Sequence, residues 1–571
     1  MDSGVDRRRP ALANAAIARL KTARATPLML VPLAFLALFF FYPLVAVVVE
    51  SFAPDGQLNL APLASLWREP YFGRALWFTT WQATLSTVVT LALGMPVAFV
   101  FARYSFRGKT FLRALTTIPF ALPAMVVAAA FTALLGPRGW LNTQLMAWFD
   151  MARAPIRLQQ TIWLVLLAHA FYNTTVIVRV VGGFWSNLDN RLSEAGRVLG
   201  GSRPRVFFEI TLPLLLPAVA AAGLLVFLFC FTSFGVILIL GGPRFATLEV
   251  EIYRQAVALF RLPEASAIAL AQIILTFVVM AVYTRAQARA SLPLNLRPAG
   301  MSEIRPTTPL HRLLVGLTAA GVLLFLVAPL AALALRSLAP GDPFRYFREL
   351  FVNRTSSLFY VPPGIAIRNS VGFALLTTGL ALTIGTLTAT LMAQGRTRWT
   401  VLLEPLVLLP LGTSAVTLGF GYLLTMGQPP LNLRASPVLV PIAHTLVAFP
   451  FVVRTLLPVM RGIKPDWREA AAILGASPWR AWREVDLPIV GRALLVAALF
   501  AFTVSMGEFG ATLLIARPEF PTMPLVIFRL LGQPGALNYG QAMAMSTILM
   551  SVCAVAFVLI ERFRVGQVGE F

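Results

Sequence analysis

Three ionisable residues stand within long apolar stretches of the sequence, namely His169, His444 and Glu508. Burial in an apolar medium is costly for such groups unless they face protein or water, so each is a candidate for function. Glu508 could attract a cationic ligand or hold a gate, or it could cap a helix break beside Gly507 and Gly510. Metal binding by the histidines would need further His, Cys or carboxylate partners, which these stretches hardly supply. We therefore expect hydrogen-bonded structural histidines.

The cysteines and the one glycine-lysine motif give no sign of chemistry. We therefore predict that this chain has no catalytic residue, no metal site and no bound cofactor. Cys230 and Cys553 lie in separate apolar stretches, which argues against a disulfide framework or a thiolate site. The run Gly108-Lys109-Thr110 has the end of a phosphate-binding loop, but Arg103 occupies the position where that motif requires its first glycine. We find no catalytic constellation with a typical spacing.

Two segments with the same internal spacing carry the strongest signal in the sequence. Each segment begins with an acidic residue and two small residues, and a glycine follows after three more. Nine further residues separate this glycine from a four-residue motif that ends in a Leu-Pro pair. We expect a short helix led by the acidic residue, since the helix dipole favours it there, with small residues that let another protein approach closely. The glycine would permit a sharp turn, and the proline would stand where the chain turns into the next span. The residues are Glu194, Ala195, Gly196, Gly200, Leu212 and Pro213, and Glu469, Ala470, Ala471, Gly475, Leu487 and Pro488.

The elements that position these residues must be membrane-spanning helices. Of the 571 residues, 58% are hydrophobic and 12% are charged, against about 25% charged in soluble domains. Many uncharged runs have the roughly 20 residues that cross a bilayer as a helix, whereas barrel strands would be shorter and alternating. The composition predicts an all-α membrane protein with about 12 transmembrane helices. The predicted spans are roughly 29–49, 78–102, 114–135, 158–178, 214–240, 266–284, 313–335, 369–393, 402–426, 437–459, 491–516 and 542–561.

The net charge is +23, and the basic residues are distributed as the predicted topology requires. With the N-terminus in the cytoplasm, 31 of the 47 Lys and Arg residues are cytoplasmic and 16 are external. This bias obeys the positive-inside rule and places both termini in the cytoplasm. The charge thus indicates contact with anionic membrane lipid and no nucleic acid. Residues 1–28 form a basic cytoplasmic segment, and the first apolar run is expected to be retained as a helix.

An internal repeat has a constant offset of 275 residues. It relates His169 to His444, Glu194 to Glu469 and Phe234-Gly235 to Phe509-Gly510 without a gap over some 85 residues. We infer a duplication with halves at 29–285 and 313–571, a cytoplasmic linker at 286–312, and equivalent loops at 186–213 and 461–488. Because each half has an even number of spans, both halves enter the membrane in the same orientation, which implies a pseudo-two-fold axis along the membrane normal.

The duplicated segments resemble the E-A-A, three residues, G, nine residues, I-x-L-P motif of binding-protein-dependent ABC importer permeases. This resemblance implies the type I importer permease fold in the inner membrane of a prokaryote. It also implies that each segment is a coupling helix, which docks on one of two copies of a separate ABC ATPase. That partner would use ATP and Mg, and an extracytoplasmic binding protein would deliver the substrate. An ion-gradient-driven secondary transporter would explain the hydrophobicity and the duplication but not the paired acidic loops.

The fused layout resembles the thiamine and ferric-iron importer permeases. The first-half segments 167–173, 231–235, 240–242 and 251–256 resemble thiamine permeases, and 506–510 resembles both groups. The resemblance implies a thiamine-like cation or ferric iron as substrate. Residues at the two equivalent breaks in the apolar pattern are the candidates for the pathway or its gate. They are Ser233, Phe234, Gly235, Glu508, Phe509 and Gly510.

Overall fold

The computed structural model describes residues 28–290, 303–353, 361–393, 404–429 and 431–563. These residues are almost entirely helical, and the one isolated β-bridge among them pairs Tyr104 with Ile304. Eleven helices are long and apolar enough to cross a membrane, and a bent pair makes up to 12 spans. The predicted all-α, multi-span fold is confirmed.

The first half contains twelve helices in the described residues. They are α1 (Leu28–Phe52), α2 (Ala61–Arg68), α3 (Pro70–Arg103), α4 (Lys109–Ala121), α5 (Ala124–Leu135), α6 (Trp140–Trp148), α7 (Ile162–Ser186), α8 (Asn190–Val198), α9 (Arg203–Phe231), α10 (Gly235–Leu240), α11 (Leu248–Tyr253) and α12 (Leu262–Ala290). A π segment, Arg254–Ala258, continues α11.

The second half repeats this order with small changes. Its described helices are α13 (Pro309–Arg336), α14 (Arg345–Glu349), α15 (Ile365–Ala393), α16 (Glu404–Gly412), α17 (Ala415–Thr425), α18 (Leu439–Arg461), α19 (Pro465–Ile473), α20 (Trp479–Gly507), α21 (Gly510–Ile515), α22 (Met523–Gly532) and α23 (Ala536–Phe563).

Helix breaks are the main departure from the predicted spans. The span predicted at 114–135 is two helices, α4 and α5, separated at Leu122 and Pro123. Its counterpart bends by 97° between α16 and α17. The predictions of continuous spans at 214–240 and 491–516 are wrong, because α9 ends at Phe231 and α20 ends at Gly507, and a separate short helix follows each. Hydropathy does not register these breaks, since the residues around them are still apolar.

The two Leu-Pro pairs lie inside continuous helices, not at a turn into the next span, so that expectation is also wrong. A π turn precedes each pair, Phe207–Thr211 in α9 and Trp482–Asp486 in α20. In each π turn the amide of the leucine donates to a carbonyl five residues back. The extra residue of the turn lets the helix pass a proline, which has no amide to donate.

Within each half, the second and fourth spans pack closely at one glycine. A Cβ on Gly94 of α3 would lie 2.8 Å from the Cβ of Ile177 in α7. A Cβ on Gly385 of α15 would lie 2.6 Å from Val452 Cγ1 in α18. Ile177 and Val452 are related by the 275-residue offset. Small residues at such contacts let transmembrane helices approach closely, and both halves use the same device.

The first helix of each half packs against the other half. Helix α1 lies against α17, and α13 lies against α5. Leu36 and Phe40 of α1 are fully buried with second-half residues such as Phe449. The hydroxyl of Tyr422 in α17 donates to the carbonyl of Phe39 at 2.7 Å. The two halves thus hold together by swapping their first helices, and their equivalent helix breaks meet at the centre.

Candidate coupling and gate sites

The predicted coupling segments form two short helices, α8 and α19, at the same end of the bundle, which we term the coupling end. Asp189 caps α8 by accepting from the Arg191 amide at 3.0 Å, and Asp466 stands in the first turn of α19. Glu194 and Glu469 therefore lie within their helices, and the expectation that they begin them is wrong. Other acidic residues already occupy the helix N-termini.

Both helices end on a left-handed glycine, as predicted. Gly200 has a φ of +87° and Gly475 a φ of +82°, a conformation that glycine adopts without a steric penalty. Before each glycine stands an apolar pair, which turns its side chains to solvent. Val198, Leu199 and Leu474 are each 87% exposed and Ile473 is 86% exposed. Isolated exposed apolar residues are ordinary, but the same exposed pair at repeat-related positions marks an interaction surface.

The small residues of the two segments have different surroundings. Glu194, Ala195, Glu469 and Ala470 are exposed. Gly196 is half-buried, and a Cβ there would lie only 2.5 Å from Ile210 Cδ1 in α9 of the same chain. The expectation that Gly196 admits another protein is therefore wrong, because the close approach at this position comes from the chain itself.

Each coupling helix is tied to the π turn of the following span by one side-chain contact. In the first half the Ser193 and Thr211 hydroxyls lie 3.3 Å apart. In the second half Arg468 Nε donates to both carboxylate oxygens of Asp486, at 2.8 and 3.0 Å. These pairs are related by the 275-residue offset, so an ion pair in one half replaces a neutral hydrogen bond in the other.

The candidate gate residues lie at the centre, where the helix breaks of the two halves meet. A Cβ on Gly507, beside the α20–α21 break, would lie 3.1 Å from Pro123 Cγ at the α4–α5 break. A Cβ on Gly235 would lie 2.6 Å from Met125 Cε and 3.3 Å from a ring carbon of Phe509. Glycine at 235 therefore leaves room for a ring from the opposite half.

Four aromatic side chains, which we term the gate aromatics, fill this meeting point. The rings of Phe234 and Phe509 stack across the two halves, with centroids 5.7 Å apart and planes inclined by 22°. Tyr253 packs against Phe234 at 5.8 Å, and Phe528 packs against Phe509 at 5.5 Å. The structure thus brings Phe234 and Phe509 together and adds Tyr253 and Phe528, which the sequence reasoning missed. The offset of 275 relates Tyr253 to Phe528 and is the signal that could have found them.

The first-half break is held by neutral groups around His169. Its Nδ1 lies 2.9 Å from the Ser86 hydroxyl in α3. Its Nε2 lies 2.9 Å from the hydroxyl of Ser233, the residue before Phe234. The expected hydrogen-bonded role of this histidine agrees with the geometry.

The second-half break is held by a carboxylate. Glu508 accepts from the amides of Ala511 and Thr512, at 2.8 and 3.1 Å, and from the Thr512 hydroxyl. It therefore caps α21, as one of the two readings of the sequence expected. His444 Nε2 lies 3.2 Å from Glu508 Oε2, and its Nδ1 lies 2.7 Å from the Ser505 hydroxyl. Glu508 and His444 are both buried.

A second buried carboxyl, Glu249 of α11, links the halves. Its side chain accepts from the Gln272 amide in α12 and, at 2.5 Å, from the Ser414 hydroxyl. Ser414 stands at the α16–α17 break and caps α17 by accepting from Val416 N at 3.1 Å. Burial raises the pKa of Glu249 to about 8, and the hydrogen bonds from Ser414 and Gln272 oppose this shift. Hydropathy and spacing give no sign of this role for Glu249, because the residue lies between two predicted spans.

A cavity of about 880 Å³, which we term the vestibule, opens on the side of the gate away from the coupling end. Its walls come from both halves and include Tyr253, Phe528 and Tyr539, amides such as Gln160, and Arg254. Of the described residues that line it, none is Asp or Glu. Among all described residues, no group of three or more His, Cys, Asp or Glu side chains is arranged to hold a metal ion.

The chain is similar in sequence to known membrane transport proteins. Residues 91–292 match the family described as binding-protein-dependent transport system inner membrane component. The thiamine transport system permease protein ThiP of Brucella abortus (strain 2308) is 27% identical over 510 residues, which cover 88% of this chain and 90% of that protein. ThiP of Escherichia coli (strain K12) is 24% identical over 509 residues, covering 87% and 90%.

The chain also aligns with two further proteins. The probable ABC transporter permease protein y4fN of Sinorhizobium fredii (strain NBRC 101917 / NGR234) is 24% identical over 556 residues, covering 93% of this chain and 95% of that protein. The crystal structure of a bacterial ABC transporter involved in the import of alginate aligns with a TM-score of 0.41 and 17% identity, covering 49% of this chain and 100% of that one. The duplicated segments and the similarity along most of its length make this multi-pass membrane protein similar to the binding-protein-dependent ABC importer permeases that fuse two halves in one polypeptide.

Proposed function

We propose that the chain is the membrane subunit of an importer driven by a separate ATPase. Two copies of that ATPase bind α8 and α19 from the cytoplasm, and a binding protein delivers substrate to the vestibule from outside. Both termini are then cytoplasmic. The chain itself needs no cofactor, since ATP and Mg belong to the ATPase.

The duplicated apolar surface at the coupling end is the observation that carries this proposal. The Val198-Leu199 and Ile473-Leu474 pairs are almost fully exposed and are related by the repeat. Two equivalent surfaces fit two copies of one partner, each burying one pair on binding. An ion-gradient-driven transporter gives no reason for this surface.

The gate aromatics suggest how coupling reaches the substrate. Each coupling helix is tied to the start of α9 or α20, and the same helices end at the breaks that carry Phe234 and Phe509. Closure of the ATPases would therefore displace the two rings, because the rigid helices α9 and α20 transmit the movement. Alternating access follows if the rings separate when the binding protein is docked and close before substrate leaves toward the cytoplasm.

We propose a thiamine-like organic cation as the substrate in preference to ferric iron. The similar ThiP proteins are named as thiamine transport permeases. The vestibule offers aromatic faces and amide groups, which suit a heteroaromatic ligand. It offers no carboxylate among its described lining residues, whereas ferric iron would need clustered oxygen ligands. The charge of Arg254 is partly balanced by the Glu251 carboxylate at 3.9 Å.

The test is to place a charge on the coupling surfaces. Leu199→Asp combined with Leu474→Asp should abolish co-purification of the co-expressed ATPase and ATP-dependent uptake, while membrane insertion is retained. Leu58→Asp is the matched control, because Leu58 is also strongly exposed (80%). Leu58 follows the C-terminal end of α1, at the end of the bundle opposite to the coupling helices. Normal ATPase association and uptake by the double variant would refute the proposal. Parallel uptake of labelled thiamine and labelled ferric iron with the binding protein present would decide the substrate.

A further inference from the structure

The turn between α11 and α12 holds a large aromatic residue in a conformation that favours glycine. Phe260 has a φ of +56° and its side chain is 81% exposed. Backbone hydrogen bonds fix the turn, with Leu259 N donating to Arg254 O at 3.0 Å and Arg261 N to Gln255 O at 2.8 Å. A bulky residue at positive φ is a steric outlier. Such strain at an exposed aromatic residue points to a role outside the fold.

The second half shows that the turn itself does not require an aromatic residue. The 275-residue offset relates Phe260 to Gly535, which has a φ of +118°. The fold needs positive φ at this position in both halves, and the second half meets that need with glycine. Phenylalanine in the first half therefore strains the backbone without covering apolar surface, which makes it unfavourable for stability alone.

The location of the turn indicates what Phe260 meets. Arg254 and Ala258, just before the turn, line the vestibule, and Gly535 lines it from the other half. Phe260 therefore stands at the mouth of the vestibule. Trp67, 86% exposed, lies on α2, which packs against α12, the helix that follows the turn. The turn that carries Phe260 adjoins the proposed substrate path, so a protein that delivers substrate to the vestibule would cover this turn.

The charge at the mouth of the vestibule limits the partner further. Arg138 and Arg254 line the vestibule and Arg261 is the next residue after Phe260. The described lining residues include these two arginines but no Asp or Glu, and Glu251, 3.9 Å from Arg254, balances part of this positive charge. A complementary partner surface has an apolar pocket surrounded by carboxylates. Buried aromatic residues ringed by polar contacts are the usual anchors of protein interfaces.

We propose that Phe260 is the anchor by which the first half binds the extracytoplasmic substrate-binding protein, with its ring in an apolar pocket and Arg261 beside an acidic residue of that protein. This inference rests on the proposed function. It makes docking asymmetric, because Gly535 provides no equivalent side chain in the second half. Docking would then place the partner's substrate site over the vestibule by way of the first half.

The experiment uses the permease–ATPase complex in proteoliposomes and the purified binding protein that supports uptake through it. The concentration of this protein that half-maximally stimulates ATP hydrolysis is measured. Phe260→Gly should raise that concentration at least about tenfold, whereas Phe260→Tyr should keep it near the wild-type value. Phe344→Gly is the matched control, since Phe344 is also exposed but, unlike Phe260, does not stand within a few residues of any described residue that lines the vestibule. The melting temperature of Phe260→Gly should be unchanged or higher, because glycine relieves the strain.

Three outcomes would overturn the anchor. The first is an unchanged half-maximal concentration in Phe260→Gly while wild type is stimulated, which leaves the proposed function intact. The second is a loss of membrane insertion or basal ATP hydrolysis in Phe260→Gly, which would assign the ring to the fold or the lipid interface. The third is an absence of stimulation in the wild-type complex, which would overturn the proposed function as well.

Discussion

The two halves share a fold, but several equivalent positions carry side chains of different chemistry. At the gate, Ser233 and His169 make neutral hydrogen bonds in the first half, whereas Glu508 and His444 form a buried carboxylate–histidine contact in the second. At the coupling helix, two hydroxyls in the first half correspond to the Arg468–Asp486 ion pair in the second. The second half thus has contacts of ionisable side chains at both ends of its fifth span, α20, where the first half has neutral ones.

This difference has an energetic consequence. A neutral hydrogen bond contributes about 1 kcal/mol, while removing one member of a buried charged contact costs about 3–5 kcal/mol. We therefore expect substitutions at equivalent positions to be costly in the second half and mild in the first.

The gate residues should show the largest contrast. Glu508→Ser gives the second half the residue of the first and should lower the free energy of unfolding by about 3 kcal/mol, because two buried amides and His444 lose their acceptor. Ser233→Ala, the matched change in the first half, should cost about 1 kcal/mol. Unfolding in mixed micelles measures both. Equal losses would show that the carboxylate does not brace this break.

Glu249 should make stability depend on pH in the first half only, because the equivalent residue of the second half is Pro524, which does not titrate. Burial raises the pKa of Glu249 to about 8, so the folded protein binds this proton more tightly than the unfolded chain. Its stabilising effect is thus complete below about pH 4.3 and is lost as the pH rises through about 8. Stability should fall over this range, and Glu249→Gln should remove that part of the pH dependence. The same slope in Glu249→Gln would exclude Glu249 as its source.

The coupling contacts should differ more modestly. Arg468 is half exposed, so solvent screens its pair, and Arg468→Ala should cost about 1 kcal/mol. Ser193→Ala should cost about 0.5 kcal/mol or less. Raising the salt concentration should reduce the loss in Arg468→Ala but leave Ser193→Ala unaffected. Denaturant unfolding at two salt concentrations checks this, and a salt effect on both variants would count against an ionic contact restricted to the second half.

The smallest effect is expected where the halves meet at the coupling end. Arg179 of α7 lies 3.2 Å from Glu561 of α23, and both side chains are about one-third exposed. Arg179→Ala should cost less than about 1 kcal/mol. Unfolding measurements on Arg179→Ala, Glu561→Ala and the double variant give the coupling energy. A value above about 2 kcal/mol would mean that this contact holds the halves together.

The sequence predicts the repeat, the coupling segments and most spans, because these depend on hydropathy and spacing along the chain. Gly200 and Gly475 were identifiable from their motif, and Phe234 and Phe509 from the repeat. The exchange of α1 and α13 between halves was not, because an apolar helix carries no mark of the surface that it covers. Glu249 was missed for a similar reason, since its link to Ser414 depends on α11 meeting the α16–α17 break of the other half in space.

The most direct test joins Phe234 and Phe509, whose rings lie 5.7 Å apart across the proposed pathway. Cysteines replace both residues in a protein whose free thiols, Cys230 and Cys553, are changed to serine. The complex is reconstituted with its ATPase and binding protein, and a short reducible cross-linker joins the new thiols. We predict that cross-linking stops ATP-dependent uptake, that reduction restores it, and that either cysteine alone has no such effect. Uptake at the unlinked rate through the cross-linked protein would contradict a pathway between the two halves.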